Sequence, residues 1–157
     1  MRKIRIGVLG AGPFANHFLP LFKAHPMVED VYFAERMKER RATTAEKFGL
    51  TTTFDDFDDL LKSNVDAIGV FSQRWTHAPL AMKAMRAGKH VFSAVPAAIT
   101  LEELEELIAT VKETGQLYML GETSYYEGAT IFCRKQHRKG AFGRFVSAQS
   151  NYCHDME

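Results

Sequence analysis

The sequence predicts an α/β fold, a doubly wound parallel sheet with helices on both faces. Three observations carry this. Short apolar strands alternate with helical segments through the first 121 residues, which calls for helical crossovers and parallel pairing. A glycine pair, Gly10 and Gly12, closes the first strand and opens the first helix. An acid, Glu35, ends the second strand.

In chain order, Ile4 to Leu9 is an apolar run that reads as a buried strand. Residues 13 to 24 follow as a helix, with Pro13 in the first turn, where a missing N–H costs nothing. Pro20 removes an internal hydrogen bond and should kink that helix. Val28 to Glu35 is the second strand, and a charged helix runs from about Met37 to Phe48, with Gly49 as its stop. Thr51 to Phe54 is a short strand, and Asp55 caps a small helix ending near Lys62. Val65 to Ser72 is the next strand, followed by a helix from Thr76 to Ala87 that Gly88 stops. His90 to Ser93 is the fifth strand. Thr100 and Glu103 form a capping box for a helix to about Thr114. The acids Glu102, Glu103, Glu105 and Glu106 lie near its positive end and read as a solvated face. Leu117 to Gly121 is the sixth strand.

Six strands in this order match two mononucleotide-binding halves, so residues 1–121 read as a dinucleotide-binding Rossmann domain. The pattern then changes to a helix over residues 126 to 139 and a long alternating strand from Phe142 to Tyr152. A lone strand needs a sheet to join. Residues 122–157 therefore read as part of a longer protein, the preferred expectation, or as a segment whose strand pairs with another copy.

Composition narrows the function. At 157 residues and 46% hydrophobic, the chain can bury a real core. A net charge of +1 sets up no field toward nucleic acid or an anionic membrane. Two cysteines, Cys133 and Cys153, are too few for a disulfide scaffold, and with His137 and His154 they lack metal-ligand spacing. No metal is expected. The opening MRKIRIGVLG breaks at glycine too early for a signal peptide, and no apolar run reaches membrane-spanning length. A cytoplasmic protein is the expectation.

Gly10-Ala11-Gly12-Pro13-Phe14-Ala15 fits G-x-G-x-x-[G/A]. Gly10 permits a tight turn, Gly12 lets backbone approach a pyrophosphate, and Ala15 allows the helix to lie close to the sheet. The helix N-terminus offers N–H groups and a positive dipole to phosphates. Pro13 and Phe14 belong to this candidate cofactor loop. Glu35, 25 residues after Gly10, has the spacing of the acid that binds adenosine ribose hydroxyls. Its carboxylate disfavours a 2′-phosphate and points to NAD. Arg36, next in sequence, could stack on adenine or hold that phosphate, which keeps NADP as the other candidate.

The segment from Val65, VDAIGVFSQRWTHAPLAMKAMRAGKHVFSAVPAAITLEELEELI, resembles the Gfo/Idh/MocA family of sugar oxidoreductases. That family reads a VDAV strand, a T-P-N-x-x-H turn, a helix to A-G-K-H-V, then E-K-P and a capped helix. The resemblance extends over essentially all of the chain. It implies an N-terminal nucleotide-binding domain, and a C-terminal α/β domain whose open sheet forms a dimer interface and half of the substrate site, with residues 122–157 as the first helix and strand of that substrate or oligomerisation domain. It also implies a nicotinamide cofactor, a sugar-like substrate and a homo-oligomer. Phe71, Ser72, Gln73, Trp75 and His77 fall on the turn, and Ala94, Val95 and Pro96 on the E-K-P segment, as candidate cofactor-side residues, with orientation of the turn as the other reading of His77.

Two departures matter. The turn reads Ser72-Gln73-Arg74 in place of T-P-N and is followed by Trp75, the single tryptophan. The E-K-P segment reads Ala94-Val95-Pro96, and valine can neither donate a proton nor hold a charge. Val95-Pro96-Ala97-Ala98 is similar to a branch of the family made of NAD-dependent glycoside hydrolases, which use the cofactor transiently to oxidise and re-reduce the sugar. Gly140-Ala141-Phe142-Gly143 and Tyr152-Cys153-His154-Asp155 continue that similarity. The resemblance makes Tyr152 a candidate base and sets Glu122 by the nicotinamide ribose. His154 is a further acid–base candidate. The branch's glutamate before V-P-A-A is Ala94 here.

Three functions follow. The leading one is an NAD(P)-dependent oxidoreductase transferring hydride between nicotinamide and a sugar, polyol or related hydroxyl compound. The second is a redox-assisted glycoside hydrolase. The third is a dinucleotide-binding fragment without catalysis of its own. A phosphoacceptor domain is disfavoured, because no acidic cluster ends the first strand.

Overall fold

A computed structural model describes residues 2–151. Tyr152, His154 and the rest of 152–157 lie outside the described residues. The chain divides into two compact units, residues 1–121 and 122–157.

The first unit is built from β1 (Ile4–Leu9), α1 (Pro13–Ala24), β2 (Val28–Ala34), α2 (Lys38–Phe48), β3 (Thr53–Phe54), α3 (Phe57–Lys62), β4 (Ala67–Val70), α4 (His77–Arg86), β5 (His90–Ser93), α5 (Leu101–Thr114) and β6 (Tyr118–Leu120). A 3-10 turn, Arg74–Thr76, leads into α4. All strand pairs are parallel, in the order β3-β2-β1-β4-β5-β6. This is the doubly wound order, with its reversal between β1 and β4.

Alternation along each strand feeds two cores, one on each face of the sheet. Ile6, Val8, Val31 and Phe33 pack with Ala15 and Leu19 of α1 on one face. Ile68, Val70 and Val91 pack with Leu60, Ala81, Met85 and Leu107 of α3, α4 and α5 on the other. Burial of apolar surface on both faces, at roughly 25 cal/mol per Å², is what holds the layers. Three phenylalanines on one stripe of α1, Phe14, Phe18 and Phe22, meet Phe71 and Phe92 from the sheet, with centroid separations of 5.0 to 6.4 Å. These edge and tilted contacts fix α1 against the sheet.

Several ends differ from expectation. The small helix is capped by Asp56, whose carboxylate accepts the Asp58 N–H at 2.6 Å, so Asp55 stands one residue outside it. Helix α1 continues through Pro20 to Ala24, the end the sequence assigns it. Thr76 belongs to the 3-10 turn and α4 begins at His77. Gly49 ends α2 in the left-handed conformation, and the Thr100–Glu103 box is formed, with the Thr100 hydroxyl accepting from the Glu103 N–H at 3.1 Å and the Glu103 carboxylate accepting from the Ile99 N–H at 3.0 Å.

The second unit holds a 3-10 turn, Thr123–Tyr126, and α6 (Gly128–Arg138). The Arg134 guanidinium lies 3.5 Å from the centre of the Tyr125 ring. The strand expected from Phe142 onward is not formed among residues 142–151, which are exposed and unpaired. Alternating side chains alone do not make a strand; its backbone groups need neighbours, and none of the described residues supplies them.

Candidate functional site

The register of the sheet aligns its six carboxyl ends. Leu9 is level with Ala34 and Val70, Val70 with Ser93, Ser93 with Leu120, and Ala34 with Phe54. One further row of hydrogen bonds carries this line past the strands. The N–H groups of Gly10, Glu35, Phe71, Ala94 and Gly121 donate to Ala34, Phe54, Leu9, Val70 and Ser93 carbonyls at 2.8 to 3.1 Å. Gly10, Glu35, Phe71 and Ala94, which lie far apart in sequence, therefore leave the sheet at one level.

Gly10 has φ of +104°, and a Cβ there would stand 2.6 Å from the Phe71 carbonyl oxygen. Only glycine closes this turn. Gly12 has ordinary extended backbone and is the N-cap of α1, with no capping side chain and no acid in the first turn. A Cβ on Gly12 would meet no protein atom within 4 Å. The space beside Gly12 is thus open at the positive end of a twelve-residue helix with no capping side chain, an arrangement suited to a diphosphate.

Glu35 is half-buried, and both its oxygens are engaged. Oε2 accepts the Ala11 N–H at 3.1 Å and Oε1 accepts the Met37 N–H at 2.9 Å. The carboxylate ties the loop after β1 to the loop after β2 and retains lone pairs for ribose hydroxyls. The Arg41 guanidinium donates to the Glu35 carbonyl at 2.6 Å, whereas Arg36 is exposed.

The loop after β4 is locked from within. Thr76 donates its hydroxyl proton to the Gln73 carbonyl at 2.6 Å, so Ser72 must be the donor in the 2.7 Å contact between the two hydroxyls. The Phe71 ring is buried among the phenylalanines, which leaves its backbone for any ligand. Trp75 is 54% exposed at the tip of this loop. His77 is 2% exposed, with Nδ1 2.8 Å from the Pro96 carbonyl oxygen and Nε2 3.0 Å from that of Ser72. Ala94 is buried, Val95 and Pro96 are exposed, and the peptide between them is cis.

The first unit thus brings Gly10, Gly12, Pro13, Phe14, Glu35, Arg36, Phe71, Ser72, Gln73, Trp75, His77, Ala94, Val95 and Pro96 to one edge of its sheet. Glu122 begins the second unit, where its carboxylate accepts the Ser124 N–H at 2.9 Å. The parts that sequence reasoning missed are backbone donors, Ala11 and Met37, and one small side chain, Thr76. The Ser72/Thr76 spacing of four was their one visible signal. No helix among the described residues is long and apolar enough to cross a membrane, and no cluster of His, Cys, Asp or Glu among them is arranged to hold a metal.

Known proteins bear directly on this edge. Glycosyl hydrolase family 109 proteins are similar over nearly the whole chain. That of Saccharopolyspora erythraea is 34% identical over 98% of this chain and 36% of its own length. That of Porphyromonas gingivalis is 28% identical over 100% and 36%. The chain therefore spans about a third of the length of these relatives. Among solved structures, a 3-ketoreductase from Actinomadura kijaniata in complex with NADP and TDP-benzene is 29% identical, with a TM-score of 0.79 over 88% of this chain and 43% of that one. A scyllo-inositol dehydrogenase from Lactobacillus casei, crystallised with NAD(H) and scyllo-inositol, shares the fold at a TM-score of 0.83 and 22% identity over 90% of this chain and 43% of that one. Residues 4–122 match the family described as the oxidoreductase family, NAD-binding Rossmann fold. With the strand order, the glycine turn and Glu35 in register, the chain belongs to the Gfo/Idh/MocA oxidoreductase family.

Proposed function

We propose that this chain is the dinucleotide-binding portion of a longer NAD-dependent oxidoreductase acting on a sugar, polyol or related hydroxyl compound. The observation that carries the reading is the common level of the strand ends, where the uncapped N-terminus of α1 and the Glu35 carboxylate stand on the same edge. The cofactor supplies the redox chemistry by accepting or giving hydride. The chain's own residues bind and orient it. Gly12 and the first turn of α1 take the diphosphate, Glu35 takes the adenosine ribose, and the loops after β4 and β5 flank the nicotinamide half. Glu35 favours NAD over NADP, since its charge opposes a 2′-phosphate.

Val95 brings no proton to the reaction. Acid–base work falls to Glu122, Tyr152 and His154, or to residues beyond this chain. A homo-oligomer in the cytoplasm, without nucleic acid or membrane partners, belongs to the same reading.

A second reading, NAD-dependent glycoside hydrolysis, is favoured by Val95-Pro96-Ala97-Ala98 and by the relatives named glycosyl hydrolase family 109. Both readings need the same dinucleotide edge. Titration with NADH and with NADPH, followed through Trp75 fluorescence, tests that edge. NADH should bind more tightly, and binding of neither would overturn the proposal. In the longer protein, net NADH formation with a polyol supports the first reading. Release of p-nitrophenol from a glycoside with no net NADH supports the second.

A further inference from the structure

His77 was expected among the cofactor-side residues. We infer instead that it is a positioning residue, a buried pin that sets the backbone after β5 against the backbone after β4 and does not touch the cofactor. The inference rests on the dinucleotide-binding reading above.

Three observations carry it. The ring is 2% exposed, so it presents no surface to a ligand. Both nitrogens face carbonyl oxygens, Nδ1 that of Pro96 at 2.8 Å and Nε2 that of Ser72 at 3.0 Å; a neutral imidazole donates from one nitrogen, and we assign its proton to Nδ1, the shorter contact. Among the described residues, that bond to Pro96 is the one hydrogen bond made by the backbone or side chains of residues 95–98. Ala94 is anchored to the sheet through its N–H on Val70, and Ile99 is anchored through its N–H on Glu103. Between them Val95 and Pro96 stand exposed, Ala97 and Ala98 pack on the core, and among the described residues His77 supplies the one hydrogen bond to the segment.

The two contacts differ in kind. Ser72 lies five residues before His77, on a turn already locked by the Ser72 and Thr76 hydroxyls, so the Nε2 contact seats the ring. Pro96 lies nineteen residues after it on the neighbouring strand's loop, so the Nδ1 contact joins two loops. Both loops border β4 and β5, the second mononucleotide half of the sheet. Loss of the pin should therefore loosen the nicotinamide side and leave the adenosine side, built on β1 and β2, as it was.

The test compares NADH with ADP-ribose, which keeps the adenosine and diphosphate but lacks nicotinamide. In the unsubstituted chain both should bind; binding of neither would sink the dinucleotide reading itself. His77→Phe keeps an aromatic ring and removes the bond from Nδ1 to the Pro96 carbonyl. It should weaken NADH about ten-fold, the loss expected of one positioned hydrogen bond, while ADP-ribose binding stays within about two-fold. His77→Asn keeps a polar nitrogen near the Nδ1 position and should restore most NADH affinity. His77→Gln keeps one near Nε2 and should not. Those two variants decide the matter if His77→Phe does not fold. Equal weakening of both ligands, no weakening of NADH, or rescue by Gln in place of Asn would each overturn the inference.

Discussion

Replacing Gly10 with alanine should unfold the first unit more easily than any surface change of similar size. Two costs add. Alanine at φ of +104° lies outside the regions that L-residues favour, worth about 1–3 kcal/mol. Its Cβ would also stand 2.6 Å from the Phe71 carbonyl oxygen and 2.9 Å from the carbonyl carbon. Those are backbone atoms, and Phe71 is held by its N–H on the Leu9 carbonyl at 2.9 Å, so relief requires parting β1 from β4. Overpacking of this kind costs about another 1–3 kcal/mol. The sum, roughly 2–6 kcal/mol, is a large share of the 5–15 kcal/mol typical of a domain. Urea unfolding followed by far-UV circular dichroism reads it as a lower midpoint at unchanged slope, a drop on the order of 1–3 M. A midpoint equal to that of the unsubstituted chain would refute both the φ argument and the close approach of β1 to Phe71.

Gly12→Ala should behave in the opposite way. No protein atom lies within 4 Å of its Cβ, so the urea midpoint should hold while NADH affinity falls about ten-fold, because the methyl group enters the diphosphate's space. Thr100→Ala removes the acceptor for the Glu103 N–H and should cost about 1 kcal/mol in the same unfolding assay. Asp66 predicts acid sensitivity. The Arg5 N–H on its carboxylate at 2.8 Å, with the Arg2 and Arg5 guanidinium groups behind it, holds its pKa below the usual 3.8 despite partial desolvation. A carboxyl lowered by folding adds stability above its unfolded pKa, and that stability is lost as pH falls through the folded value. Asp66→Asn should therefore be less stable near neutrality and flatter with pH below about 4, as read by unfolding midpoints across an acid series.

The parts of the fold legible in the sequence are those set by local chemistry. Gly49, the Thr100–Glu103 box and the apolar runs of β1 and β4 announce themselves because each depends on neighbours a few residues away. Asp55 and Asp56 are chemically equal caps, and the choice of Asp56 follows from where the helix must start to bury Leu60 and Leu61. The segment after Phe142 alternates well, yet a strand is a property of a pair, and its partner is not among the described residues. The same limit applies at the candidate site. Gly10, Gly12 and Glu35 stand out through spacing. The engagement of Ala11 and Met37 N–H groups by Glu35, and of two carbonyls by His77, depends on register between distant segments, and no side-chain identity records it.

On the proposed function, Glu35 makes cofactor preference and loop architecture a single trait. Its carboxylate braces the turn after β1 through Ala11 and the start of the α2 segment through Met37. An exchange made to welcome a 2′-phosphate would remove the charge that opposes it and, in the same stroke, unfasten the loop proposed to take the diphosphate. Re-engineering this chain toward NADP by changing position 35 alone should weaken both dinucleotides before it reverses their order. A productive route has to supply a second brace between the two loops at the moment the first is taken away.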